Sequence, residues 1–261
     1  MTSLLECGRL GKPLTGYDVI DAHAHLGRYD YAVSDFSAES VVAVMDRLGV
    51  GQIMFSSLEC IGSHVREGND EVLQAMRDFP GRVLGYVVVW PESPKAVRRE
   101  VEERLAQGFV AIKFHIGNGF DYTDAAYAPA FEIANERRLP VLLHTYGAQA
   151  GLGQVPELAE RYPEATFLLA HAGVGTIEEY TRVAREHEHV YLDLCTSMCP
   201  VGVVEQLVSD APVEKILWGS DCQFLNLPHQ LGKLQGADIP EEAKKQLLST
   251  NARHILSRIR Q

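Results

Sequence analysis

The chain has 261 residues, 46% of them hydrophobic, and a formal net charge of −11. That size and apolar content suit one large α/β domain or two small ones, and the acidic balance, with no basic stripe, argues against nucleic acid as the main partner. No run of about 18 apolar residues is present, so no membrane span is expected. Residues Met1 to Lys12 lack the basic-then-apolar pattern of a signal peptide. The five cysteines are odd in number and irregularly spaced, which argues against a disulfide framework. A reducing cytosol, and hence a cytoplasmic protein, is the simplest expectation.

A strand-then-helix rhythm recurs along the chain. Eight apolar runs read as buried strands: Val19 to His25, Gln52 to Ser57, Val83 to Trp90, Val110 to His115, Val141 to Thr145, Phe167 to His171, Val190 to Leu194 and Ile216 to Ser220. Between them, Ser40 to Leu48 is apolar at helical spacing and stops at Gly49. Ser93 and Pro94 start a helix that Gly108 closes. Tyr127 to Arg138 ends before Pro140, and Thr176-Ile177-Glu178-Glu179 is a capping box. Val201 to Val208 and Glu241 to Leu256 complete the helices. Eight such units predict a single-domain TIM (β/α)8 barrel over residues 1–261. The alternative, a doubly wound open sheet, lacks its Gly-x-Gly-x-x-Gly after the first strand.

In such barrels chemistry gathers at the C-terminal strand ends. His23 and His25 end the first strand, Lys113 and His115 the fourth, His144 the fifth and His171 the sixth, while Asp221 follows the eighth. Residues two apart on a strand share a face, so His23 and His25 can meet at one ion, with Asp21 one layer beneath and Ala22 and Ala24 facing away. Imidazole nitrogens and a carboxylate suit one divalent ion, zinc first, with manganese or iron as alternatives. Zinc with an open position activates water at neutral pH. Asp221 then serves as ligand and base, and His171 as proton relay. Lys113 reads as a cation at the mouth for a substrate carboxylate, with carboxylation to bridge a second metal as the alternative. His115 and Arg28 are further substrate-binding candidates, and Tyr29 and Glu59 lie near them in sequence. The plainer readings are a hydrogen-bonded structural role for any one histidine, a helix cap for Asp221, a surface charge for Lys113 and simple packing for Cys60, Cys195 and Cys222. The Arg98-Arg99 and Lys244-Lys245 pairs read as solvated helix faces.

Six motifs run in order through the chain: Asp21-Ala-His-Ala-His25, Ile112-Lys-Phe-His115, Leu142-Leu-His144, Leu169-Ala-His-Ala-Gly173, Trp218-Gly-Ser-Asp221 and Asn251-Ala-Arg-His254. Together they resemble the amidohydrolase superfamily, in the branch of aminocarboxymuconate-semialdehyde decarboxylase and related metal-dependent hydrolases. The resemblance implies metal ligands at His23, His25, His144 and Asp221, a catalytic His171, and a single metal. Two features depart from it. Cys222-Gln223-Phe224 replaces the Phe-Pro that follows the aspartate in many relatives, and Leu26 to Phe36 leaves no room for a long insertion. The expected activity is hydrolysis of an amide, ester or lactone of a small molecule. The alternatives are non-oxidative decarboxylation of an unsaturated or aromatic acid at the same site, and a metal-stabilised binding protein. Relatives are often dimers, which makes a homodimer one option.

Overall fold

Runs that are apolar on both faces need cover on both faces, and here they form parallel strands. The computed structural model describes residues 2–29, 33, 35–62, 64–146, 151–196 and 199–260. Among these, the strands are β1 Ile20–Leu26, β2 Gln52–Ser57, β3 Val83–Val88, β4 Ala111–Phe114, β5 Pro140–Leu143, β6 Thr166–Leu169, β7 Val190–Asp193 and β8 Ile216–Leu217. Each pairs with the next in chain order. Between β8 and β1, Ala22 donates its N–H to the Trp218 carbonyl at 3.2 Å and Ala24 bridges Cys222. This is the expected TIM barrel.

The helices are α1 Leu4–Leu10, α2 Ala38–Leu48, α3 Val65–Asp78, α4 Pro94–Ala106, α5 Ala128–Arg137, α6 Val155–Arg161, α7 Ile177–Glu186, α8 Val203–Asp210, α9 Leu227–Gly236, α10 Glu241–Lys245 and α11 Asn251–Ser257. None is long and apolar enough to cross a membrane. Ser93 and Thr176 cap α4 and α7 as expected, accepting from Ala96 and Glu179. Four helices, α1, α3, α6 and α9, go beyond the sequence expectation. In α3 the buried stripe includes Gly68 and Asn69 as well as Val72, so its apolar period is broken. The expected Glu241 to Leu256 helix is interrupted by a π-helical turn at Gln246–Thr250. Lys244, expected on a solvated face, is buried and donates to the Gln235 carbonyl at 2.8 Å.

The ladders end earlier than the sequence suggests. His115, His144 and His171 all lie beyond the last residue of their strands. His144 still donates its N–H to the Phe114 carbonyl at 3.2 Å, and the side chains of all three reach the cavity.

Inside the barrel, Ile20, Ala22, Met54, Tyr86, Ala111, Leu142, Leu168, Tyr191 and Leu217 form one apolar cluster. Their strand neighbours Ile53, Phe55, Val87, Ile112, Leu143, Leu169 and Leu192 pack outward into the larger core against the helices. Two residues further along, the inward positions turn polar: Ser56, Lys113, His144 and Asp193. In β1 the register shifts between Asp21 and Ala24. Ala22 therefore joins the inner cluster while Ala24 joins the outer one. This corrects the expected alternation, in which both alanines face away. The irregularity rephases the strand so that His23 and His25 share the polar interior.

The β2–β3 ladder stops at Phe55↔Gly85, so Val88 lies beyond it. Asn69 of α3 takes the missing strand's place, donating to the Val88 carbonyl at 2.9 Å and accepting its N–H at 3.0 Å. Glu100 and Arg104 of α4 continue this buried network, with Arg104 Nε 2.7 Å from Glu100 Oε1. Asn69→Ala leaves two buried backbone groups without partners. The substitution should cost about 2 kcal/mol or more, read as a lower urea midpoint at unchanged m-value. A loss under roughly 0.5 kcal/mol would mean that water satisfies Val88 instead.

Candidate metal centre

His23 Nε2 and His25 Nε2 face each other at 3.0 Å. Asp221 Oδ1 lies 3.1 Å from His25 Nε2 and 3.6 Å from His23 Nε2. All three residues are buried. Donors bound to one ion at about 2.0–2.2 Å sit roughly 3.0–3.5 Å apart. Two of the three separations fall in that range and the third lies 0.1 Å beyond it, and two nitrogens with one carboxylate oxygen suit zinc, manganese or iron. The residues therefore fit a divalent cation. The far nitrogen of each ring is also engaged. His23 Nδ1 is 2.7 Å from Asp193 Oδ2, and His25 Nδ1 is 2.9 Å from Ser56 Oγ. Such partners hold ligand rings in place.

His144, expected as the fourth ligand, lies outside this trio, whose donor atoms fall within 4.8 Å of one another. It meets His171 instead, with Nδ1 3.2 Å from His171 Nε2. His171 Nδ1 is 3.0 Å from the Cys195 carbonyl. A carbonyl only accepts, so the His171 proton sits on Nδ1 and its Nε2 accepts from His144 Nδ1–H. His144 Nε2 then keeps a lone pair. His115 stacks on His144 at 4.0 Å, and its Nδ1 accepts the Gly117 N–H at 3.0 Å. Its own proton is therefore on Nε2. His171 and Asp221 have φ of 60° and 56°, left-handed values that side chains other than glycine seldom adopt.

These groups open into a cavity of about 450 Å³. Two sets of rings line it. Phe224 contacts both Tyr29 and His25, at 5.3 and 5.9 Å between centroids, and His115, His144, Tyr146 and His171 form the second set. Thr196, Asp221 and Leu225 complete the lining among the described residues.

Two expected substrate contacts sit elsewhere. Lys113 is not at the mouth. It is buried in the polar layer with Nζ 3.2 Å from His23 Nε2, too deep to line the cavity. Arg28 is exposed, and its guanidinium sits 6.0 Å from the Phe36 ring centroid rather than in the cavity. Glu59 is exposed. Of the segment after Asp221, Phe224 and Leu225 face the cavity, whereas Gln223 turns away to the Ser37 carbonyl. The loop expected from Leu26 to Phe36 falls partly outside the described residues. Cys60, Cys195 and Cys222 are buried free thiols, and burial pushes each thiol up, as packing residues require. Sequence reasoning missed Asp193 and Ser56. The lone acid in the apolar run Val190 to Leu194 was the available signal.

Burial governs the charges. It lowers His23, His25 and His144, brings His171 down to about 4 and His115 to about 2, with neighbouring cations and rings adding to the effect. It lowers Lys113 to about 8 and raises Asp21 and Asp193 to about 7. The unfolded chain therefore binds protons at five imidazoles below about pH 6.5 that the folded chain does not. Asp21 and Asp193 act oppositely, since the folded chain holds their protons from about pH 4 to 7. Five groups outweigh two. The chelator-treated protein should lose stability steadily from about pH 6.5 to 4.5, measured as urea midpoints. A flat or rising midpoint on acidification would show charged histidines in the fold.

Residues 20–258 match the profile of the family described as Amidohydrolase. A comparison with curated proteins finds no match. The fold is similar to 2,6-dihydroxybenzoate decarboxylase from Rhizobium, at TM-score 0.77 and 15% identity, covering 92% of this chain and 99% of that one. It is similar to dihydroxybenzoic acid decarboxylase from Polaromonas sp. JS666, solved with bound manganese and the inhibitor 2-nitroresorcinol, at TM-score 0.77, 16% identity and coverage of 92% and 97%. It also resembles a probable 2-pyrone-4,6-dicarboxylic acid hydrolase from Acinetobacter baumannii, with citric acid bound, at TM-score 0.73, 15% identity and coverage of 92% and 99%. With a match over nearly its whole length and the eight-stranded barrel in place, the chain belongs to the amidohydrolase family.

Proposed function

We propose that this protein is a metal-dependent enzyme that removes carbon dioxide, without oxidation, from a small planar carboxylic acid. The observation that carries this reading is a ring-lined cavity with a His-His-Asp donor group at its floor. Aromatic walls favour a flat unsaturated substrate by stacking and by excluding water. The two dihydroxybenzoate decarboxylases of similar fold support the same choice.

His23, His25 and Asp221 would hold the ion, with His144 as the fourth candidate one ring further out. A divalent cation there supplies a fixed positive charge for a substrate carboxylate or phenolate oxygen. Phe224, Tyr29 and Tyr146 orient the ring. Breaking the carbon–carbon bond leaves an electron pair on the ring carbon, which needs a proton. Asp221, at the cavity floor, carries that proton, and His171 relays it at Nε2. His115 presents Nε2–H as a neutral donor to the substrate. Lys113, from behind, keeps positive charge near the donor group.

Hydrolysis is the second reading, favoured by the same polar floor and by the pyrone hydrolase of similar fold. There Asp221 takes a proton from water attacking an ester or lactone carbonyl. Protein loaded with manganese or zinc, offered hydroxylated benzoic acids and ring lactones, separates the two. Released carbon dioxide supports the first, and ring opening with uptake of water supports the second. Silence on both panels would overturn the assignment. Asp221→Asn should reduce kcat by about 100- to 10,000-fold with metal content only partly lost, and full activity in that variant would remove Asp221 from the chemistry. Metal at 100 times its Kd should add about 2.7 kcal/mol of stability, seen as a raised Tm that chelator reverses. An unchanged Tm would mean that no ion binds the fold.

A further inference from the structure

We infer that Asp193, at the end of β7, is the positioning residue of the metal centre: it fixes which nitrogen of His23 carries the proton, and so aims a bare Nε2 at the ion. This rests on the metal-site reading above. Four observations converge on it. His23 Nδ1 and Asp193 Oδ2 are 2.7 Å apart with side chains 0% and 1% exposed, so no water competes for the bond. A carboxylate accepts, which places the imidazole proton on Nδ1. On the other side of the ring, Lys113 Nζ stands 3.2 Å from Nε2. In the metal-free fold an ammonium there donates, so it too requires the Nε2 lone pair, which a bound ion would take over. Two neighbours on opposite edges of one ring thus demand the same tautomer.

The fourth observation is room. Gly219, just beyond β8, lies against both side chains. A Cβ there would come within 2.5 Å of Asp193 Oδ1 and 2.7 Å of His23 Cβ. The pair is seated where only a glycine lets it sit.

The same atoms invite a different reading. His23, Asp193 and Cys195 offer donor atoms within 4.8 Å of one another, as a second ion would need. The 2.7 Å separation argues against it. Two donors on one ion stand roughly 3.0–3.5 Å apart, and His23 would also have to bridge two ions through both nitrogens. A short hydrogen bond is what the distance describes. Carboxylates behind ligand histidines tune affinity in this way.

The test reads the tautomer and the affinity separately from turnover. Long-range nitrogen–proton spectra of the histidine-labelled, metal-free protein, taken on the alkaline side of neutral, should show His23 protonated at Nδ1. Zinc affinity, by competition with a chromophoric chelator, should fall about 10- to 100-fold in Asp193→Ala, with His23 shifting toward the Nε2–H form. A purely structural role would lower stability and leave the tautomer unmoved. Asp193→Asn, equal in size, serves if the alanine variant does not fold, and should also weaken zinc. The inference is overturned if native His23 carries its proton on Nε2, or if a folded Asp193 variant binds zinc as tightly as the native protein. Failure of the metal reading looks different: the native protein would then bind no zinc at all.

Discussion

Closure of the barrel depends on backbone bonds between β1 and the segment that follows β8, and the candidate site depends on the same bonds. The His23 carbonyl accepts from both Ser220 and Asp221, at 3.1 and 2.7 Å. Asp21 Oδ1 accepts from Ser220 at 2.9 Å and from His23 at 3.2 Å. With only two residues in β8, β1 holds much of what comes after it. The first and last strands are some 200 residues apart in sequence, yet one carbonyl oxygen sets the carboxylate of one against the imidazoles of the other. Geometry at the donor group is therefore inherited in part from closure, while Asp193 and Ser56 hold the two rings from behind.

Above the apolar plug of the barrel lies a polar layer in which Ser56, Lys113 and Asp193 are buried and His144 meets the cavity. There the buried polar side chains answer to one another. Burial keeps the imidazoles neutral, which is the form that binds metal, while it makes the ionised forms of Asp21 and Asp193 costly. A cation in the layer reverses that balance for the carboxylates. Lys113 already supplies a positive group on the same side of His23. The arrangement thus combines groups that are uncomfortable alone and compatible once charge is shared.

Much of this was legible before any coordinates. The eight apolar runs, the histidines at their ends and the Gly-Ser-Asp after the last strand led to the barrel and to His23, His25 and Asp221 as near neighbours. What failed did so for identifiable reasons. Apolar runs overextend the strand ends where residues past the ladder, such as Val89 and Leu194, stay buried. Simple alternation misphases β1 because a register shift leaves no mark in composition. Helix α3 was invisible because its buried face uses Gly68 and Asn69 to pair with Cys60 and the Val88 backbone. Lys113 lies deeper than the mouth and Arg28 further out, since a single sequence gives the strand position of a long side chain and not where its charged end finds partners.

The left-handed backbone at His171 and Asp221 bears on how this protein would respond to engineering. Holding a residue with a Cβ in that region costs about 1 kcal/mol or more at each position. Glycine would relieve it at both. A library screened for heat tolerance alone would thus be drawn toward the two substitutions that strip side chains from the cavity wall, and with them the groups on which the proposed reaction depends.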